Sequence, residues 1–202
     1  MKIIGLCGGS GSGKGTVSEL FALHGIPSVD TDKVYRLMTE KPSPCLDALC
    51  EEFGNEILAP DGSLDRSKLR LAVFLGEDAA QKRRRLNEIS HKFILGRTRE
   101  MLCEFADKGC AFAIVDAPLL FESGFDKECD YILSVLADKE LRVLRIVKRD
   151  GLTEADARAR IASQKSDEEL IKLSDYTIVN NGDISELRSQ VLKVVEQITE
   201  KR

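Results

Sequence analysis

Gly8-Gly9-Ser10-Gly11-Ser12-Gly13-Lys14-Gly15-Thr16 is the stretch whose residue types and spacing most directly prescribe chemistry. From Gly8 to Lys14 it fits G-x-x-x-x-G-K. Glycines let successive backbone N–H groups turn inward as a nest for phosphate oxygens. A helix starting at Lys14 adds its positive N-terminal end, and Lys14 itself is a compact charge for β- and γ-phosphates. The bland alternative, a glycine-rich turn with no ligand, fits poorly with an apolar run before it and a helical pattern after it. The pattern ordinarily places Ser or Thr after the lysine, where the hydroxyl touches Mg²⁺. Gly15 stands there instead and Thr16 follows, so Thr16 is a candidate for either the metal or a phosphate of a magnesium–nucleotide.

Three carboxylates join this loop as candidates. Asp30 and Asp32 follow an apolar segment one residue apart. At the carboxyl end of a parallel strand, side chains face the ligand crevice. A kinase acting on an alcohol uses a carboxylate to accept the hydroxyl proton. Either aspartate could do that, or hold Mg²⁺ through water; the structural alternative for Asp30 is to cap the helix that begins near Thr31. Asp116 ends an apolar run in the manner of a metal-side acid, the alternative being a plain turn residue.

A basic segment follows later. Arg142, Arg145, Lys148 and Arg149 precede Arg158, Arg160, Gln164 and Lys165, and Arg145 and Arg149 share one helical face. Gly151 breaks the helix, and Thr153 with Asp156 forms a start signal for the next. Such a hairpin beside a phosphate loop reads as a lid that excludes water and offsets transferring charge. Glu140, Asp150, Glu154 and Asp156 interleave with these cations, which also permits a solvated helical pair laced with ion pairs.

The elements that must position these groups follow from hydrophobic patterning. Short apolar runs at residues 2–7, 25–30, 111–116, 131–135 and 176–180 read as buried strands. Helical spacing runs over 14–23, from 34 to 38, across 138–174, and from Ile184 to about Glu200. Between Lys41-Pro42-Ser43-Pro44 and about Asp107 the apolar positions fall at helical intervals with no convincing strand, and Ser63 or Asp65 can cap a helix after the Asp61-Gly62 turn. The alternation implies an α/β fold: a P-loop NTPase-type parallel sheet covered by helices on both faces. Residues 1–40 and 108–202 are expected to form its nucleotide-binding core, 41–107 a helical insertion, and 138–170 a lid within the core.

The totals exclude several classes. The chain has 202 residues, 43% hydrophobic and 32% charged, with net charge −4, so no nucleic-acid or membrane partner is indicated. Its six cysteines form no C-x-x-C pair and there are two histidines, so a zinc site is not expected. Reduced thiols in a cytoplasmic protein are the expectation. The N-terminus is too short in apolar residues for a signal peptide.

With these pieces in place, nearly the whole chain resembles the dephospho-coenzyme A kinase family. The matching segments are GLCGGSGSGKGTV, VDTDKVYR, FGNEILAPDGSLDRSKLRLAVF, DAPLLFESG, RIVKRDGLTEADARARIASQ and SDYTIVNNGD. The P-loop alone marks a very large superfamily, whereas DAPLLFE with the Arg-Asp…Arg-Ile-x-x-Gln lid is far more specific. The resemblance implies ATP and dephospho-CoA as substrates and a chain that is a monomer or weak homo-oligomer. It makes Asp32 the base, 41–107 the pantetheine-side insertion, Arg149, Arg160 and Gln164 lid residues, and Asn180 a neighbour of the adenine or the lid hinge. His91 is followed by Lys92 where the family has proline, so His91 is either a substrate contact or a helix-surface histidine. The rivals are a nucleoside-monophosphate kinase, since Gly-Lys-Gly-Thr and an Arg-rich lid also occur there, and a regulatory nucleotide-binding switch without an acceptor.

Overall fold

The computed structural model describes residues 1–76 and 78–200. Among them β1 (Lys2–Cys7), β2 (Ser28–Asp30), β3 (Phe112–Asp116), β4 (Tyr131–Leu136) and β5 (Tyr176–Val179) form a five-stranded sheet in the order β2-β3-β1-β4-β5. β1 pairs in parallel with β3 and β4, and β4 with β5. Parallel neighbours need crossover connections. These are supplied by α1 (Lys14–Ala22), α2 (Thr31–Met38), α3 (Pro44–Phe53), α4 (Arg66–Phe74), α5 (Ala79–Asp107), α6 (Lys139–Asp150), α7 (Glu154–Ala162) and α8 (Asp167–Lys172), with α9 (Ile184–Glu200) closing the chain. The expected strands and the helices at both ends of the chain form where the patterning put them.

The chain divides into two compact units, residues 1–29 with 102–202, and residues 30–101. The expected insertion, 41–107, is therefore shifted: α2 groups with the second unit because it packs against α3, and the end of α5 from Leu102 groups with the first. Lys201 and Arg202, the last two residues of the expected core, lie outside the described residues.

In the first unit, Ile4 and Leu6 of β1, Val17 and Phe21 of α1, and Ile114 and Leu133 of the neighbouring strands share one buried core. Leu187, Val191, Val194 and Ile198 bring α9 onto it at helical spacing. Gly5 lies where a Cβ would come within 2.8 Å of Leu120 and 2.9 Å of the Cys129 sulfur, so the central strand has no side chain at this point. Its register sets Leu6 opposite Asp116, which delivers Asp116 to the same sheet end as the glycine loop.

In the second unit, Cys45, Leu49 and Phe53 of α3 pack with Ile57, Leu69 and Val73 against Leu86, Ile89 and Phe93 of α5. Ser43 caps α3 by accepting from Cys45 N at 3.1 Å and Leu46 N at 3.3 Å, with Pro44 in the first turn. Asp65, rather than Ser63, caps α4, accepting from Ser67 N and Lys68 N at 2.9 and 3.1 Å. α5 runs unbroken through His91 and Lys92, and the Lys92 ammonium lies 5.8 Å from the Phe93 ring.

Candidate active site

The glycine loop leaves the end of the central strand and turns directly into α1. Its turn is closed by Ser12 N donating to Gly9 O at 3.1 Å. Gly13, at the N-cap of α1, has φ 97°, a left-handed conformation that costs glycine little. A Cβ there would also fall 2.1 Å from Asn180 Nδ2. Lys14 opens α1, with its ammonium 3.7 Å from Asp116 Oδ1, and both side chains are 15% exposed. The pair thus sits in a sheltered but open position. Cys7, just before the loop, packs beside them, and burial pushes its thiol up to about 11. It remains a protonated, apolar neighbour.

Beyond α6 to α8, the loop has an outer frame made of arginine and amide groups. Arg145 donates to Gly11 O at 3.2 Å, to Asn180 O at 3.0 Å and, at 3.5 Å, to Ser12 O. Asn180 Nδ2 donates to Ser12 O at 2.7 Å from a buried position at the end of β5. The structure puts Arg145 and Asn180 on the loop's main chain, where they shape the nest. Arg142 and Gln164 hold Ser10.

Arg149 and Arg160 lie apart from this frame. Asp150 accepts from Arg149 Nε and Nη2 at 2.7 and 2.8 Å, and from Arg160 Nη1 at 2.9 Å. Hydrogen bonding to Arg149, with Arg160 adding to it, holds the Asp150 carboxyl below the usual carboxylate range. Arg149 is 60% exposed. The two lid arginines are thus gathered by one carboxylate near solvent. Arg158 and Glu140 form a similar pair at 2.6 and 2.7 Å, so the hairpin is also laced with ion pairs as the interleaved acids suggested. Gly151 ends α6 at φ 66°, and Thr153 caps α7 through Asp156 N.

Thr16 lies exposed on the first turn of α1, and nothing falls within 4 Å of a Cβ built at Gly15. Ser12 Oγ is buried with no hydrogen-bond partner and lies 2.9 Å from where a Gly8 Cβ would stand. A buried hydroxyl in that state calls for a polar ligand group. Together with Lys14 and Asp116 it makes a chemically suitable cradle for a magnesium–nucleotide: Mg²⁺ takes one or two carboxylates plus phosphates and waters. A cleft of about 410 Å³ runs from Gly8 and Gly9 past Phe121 and Glu122 to Gln164 and Lys165, and a 2.9 Å Lys165–Glu122 ion pair crosses it.

Asp30 and Asp32 belong to the second unit. Asp30 caps α2, accepting from Lys33 N at 3.0 Å, with the Lys33 ammonium 3.4 Å from its other oxygen. Asp32 is exposed on the first turn of α2 with no side-chain partner among the described residues. His91 is partly buried on α5.

Sequence reasoning missed the roles of Arg142 and Asp150. Arg142 is 4% exposed while Leu144, two residues on, is 62% exposed, an inversion of the apolar pattern that only the loop's position explains. Asp150 carried a signal in its place directly after Arg149, but the sequence cannot show that Arg160 shares it.

Residues 2–186 match the sequence model of the family described as dephospho-CoA kinase. The dephospho-CoA kinase of Corynebacterium glutamicum is 41% identical over 195 residues, covering 96% of each chain. A solved protein of Thermus thermophilus is 30% identical with a TM-score of 0.80 over 97% of this chain and 96% of its own. The solved dephospho-CoA kinase of Campylobacter jejuni is 26% identical with a TM-score of 0.71, covering 100% of this chain and 99% of its own.

Proposed function

The chain belongs to the dephospho-CoA kinase family, and from that membership we infer that it transfers the γ-phosphoryl group of ATP to the 3′-hydroxyl of dephospho-CoA. The products are CoA and ADP, in the last step of CoA biosynthesis. The observation that carries this reading is the Lys14–Asp116 pair at the mouth of the glycine loop, in a chain that matches the family from residue 2 to 186.

The chain's own residues divide the work as follows. Backbone N–H groups between Gly8 and Thr16 cradle the phosphates, and the Lys14 ammonium offsets charge on the β- and γ-oxygens. Asp116 and Thr16 stand on the metal side, with Asp30 a further carboxylate whose first duty is the cap of α2. Mg²⁺ held there would supply positive charge to the phosphate oxygens. Asp32 accepts the hydroxyl proton; its exposure and lack of a partner leave its oxygens available. Arg149 and Arg160 offset charge on the transferred group once drawn from Asp150. Arg145 and Asn180 act on the loop itself. His91 is a candidate contact for the acceptor. No helix of the described residues is long and apolar enough to cross a membrane, and we place the enzyme in the cytoplasm as a monomer or weak homo-oligomer.

The test is ADP release coupled to a second reaction, with dephospho-CoA present and absent, beside a panel of nucleoside monophosphates. ADP formation that depends on dephospho-CoA and yields CoA is expected. Equal or faster turnover with a nucleoside monophosphate would overturn the assignment.

A further inference from the structure

Ser10 is gripped from two sides by the α6–α8 segment. Arg142 Nε donates to Ser10 O at 3.0 Å. Gln164 Oε1 accepts from Ser10 N at 2.8 Å, and Gln164 Nε2 donates to Ser10 Oγ at 3.1 Å. The two side chains also meet, with Arg142 Nη2 donating to Gln164 Oε1 at 3.3 Å. Arg142 Nη1 reaches Asp167 Oδ1 at 3.3 Å. Its side chain is 5% exposed. A Cβ on Gly9 would stand 2.0 Å from Arg142 Nη2, and one on Gly11 would stand 2.7 Å from Arg142 O. The glycine loop is thus cut to the shape of this arginine on both sides of Ser10.

A guanidinium stays charged at all accessible pH. Burying it is unfavourable unless hydrogen bonds replace its water, and an apolar residue of similar volume often serves stability as well or better. Arg142 has one half-exposed carboxylate for a counter-charge; its other partners are a loop carbonyl and a lid amide. The fork matches three acceptors from two segments, the glycine loop and the α7–α8 turn, which a lysine ammonium cannot span in the same plane.

We propose that Arg142 is a positioning residue for phosphoryl transfer: it ties the phosphate loop to the α7–α8 turn, so that the loop holds its nucleotide-binding shape when Gln164 is docked on Ser10. This rests on the kinase reading above. Arg142 does not touch the reacting atoms. Its influence passes through the Ser10 peptide to the loop, and through Gln164 to the lid.

The test compares Arg142→Met, Arg142→Lys, Gly9→Ala, Arg142→Ala and the Gly9→Ala/Arg142→Ala double variant. ATP affinity is measured by calorimetry, KM and kcat are measured for both substrates, and melting is followed with and without ATP. Arg142→Met should melt like the parent, bind ATP at least tenfold more weakly, and change the KM for dephospho-CoA less than twofold. Arg142→Lys should recover part of the loss. Gly9→Ala evicts the guanidinium and should lower ATP affinity as Arg142→Ala does, yet cost less than twofold more when added to Arg142→Ala. ATP affinity of Arg142→Met within twofold of the parent would overturn the proposal. So would a Gly9→Ala penalty that is the same with and without Arg142, which decides the matter even if Arg142→Met folds poorly. A parent that binds ATP but does not phosphorylate dephospho-CoA would sink the kinase reading instead, while the ATP affinities still decide the role of Arg142.

Discussion

Arg145→Ala removes the donor that joins the glycine loop to the end of β5. Its bonds to Asn180 O and Gly11 O measure 3.0 and 3.2 Å, and the third, to Ser12 O, lies at the 3.5 Å limit and contributes little. A hydrogen bond from a charged donor contributes about 1.5–3 kcal/mol. Two such bonds would total about 3–6 kcal/mol, but Arg145 is half-buried and water can stand in for part of that. A loss of about 2–4 kcal/mol remains, and it falls on the loop rather than on the sheet. Ser12 O keeps its 2.7 Å bond from Asn180, so the loop loosens without detaching. If ATP must reorder the loop in order to bind, its affinity falls roughly thirty- to nine-hundredfold. Calorimetric titration with ATP, beside a thermal melt, measures this. Arg145→Lys keeps the charge but not the fork and should fall between the two. An Arg145→Ala protein that binds ATP within threefold of the parent would refute the claim that this side chain orders the loop.

Lys14→Ala should lower turnover by at least about a hundredfold, the scale on which one preorganised charge stabiliser counts, with an unchanged melt because alanine suits the start of α1; near-normal turnover would remove the loop from catalysis. Asp32→Asn should slow single-turnover transfer to dephospho-CoA by about a hundred- to ten-thousandfold. ATP affinity and melting should stay at parental values, and a parental rate would leave Asp32 without the role of base. Gly15→Ser meets nothing within 4 Å, so it should fold as well as the parent, and the Mg²⁺ concentration for half-maximal rate should stay level or fall. A collapse of activity in a folded Gly15→Ser protein would mean that this position is kept bare for the nucleotide.

The sheet was legible because each of its strands is a short apolar run between turn signals, and β1, β3 and β4 are buried along almost their whole length. Caps were legible where a local rule suffices: Thr153 before α7 and Asp65 before α4 bond residues two or three positions away. The limits of the insertion were not, because α2 chooses its neighbours by contact with α3, which no local pattern reports. For the site, the loop and its lysine follow from the motif, and Asp116 from its place at a strand end. What escaped are the partners of the lid arginines. Arg142 and Arg145 lie more than a hundred residues from the glycine-loop carbonyls they bind, while Arg149 and Arg160 share an acid within the hairpin. All four look alike in sequence. Their acceptors separate them, and those acceptors are set by tertiary structure.

Clamping loop carbonyls from one side has a consequence for polarity. In a trans peptide the C=O and the N–H of the next residue point in opposite directions. Arg142 fixes the Ser10 carbonyl on the α6 side, so the Gly11 N–H must face the opposite side of the loop. Asn180 holds the Ser12 carbonyl in the same way, which turns the Gly13 N–H across as well. The intervening plane is different: the Ser12 N–H is spent on Gly9 O. Cations on the outer surface of the loop therefore orient peptide dipoles so that its inner surface presents positive ends. The same arginines that could bind an anion directly act here at second hand, making uncharged glycines into the donors.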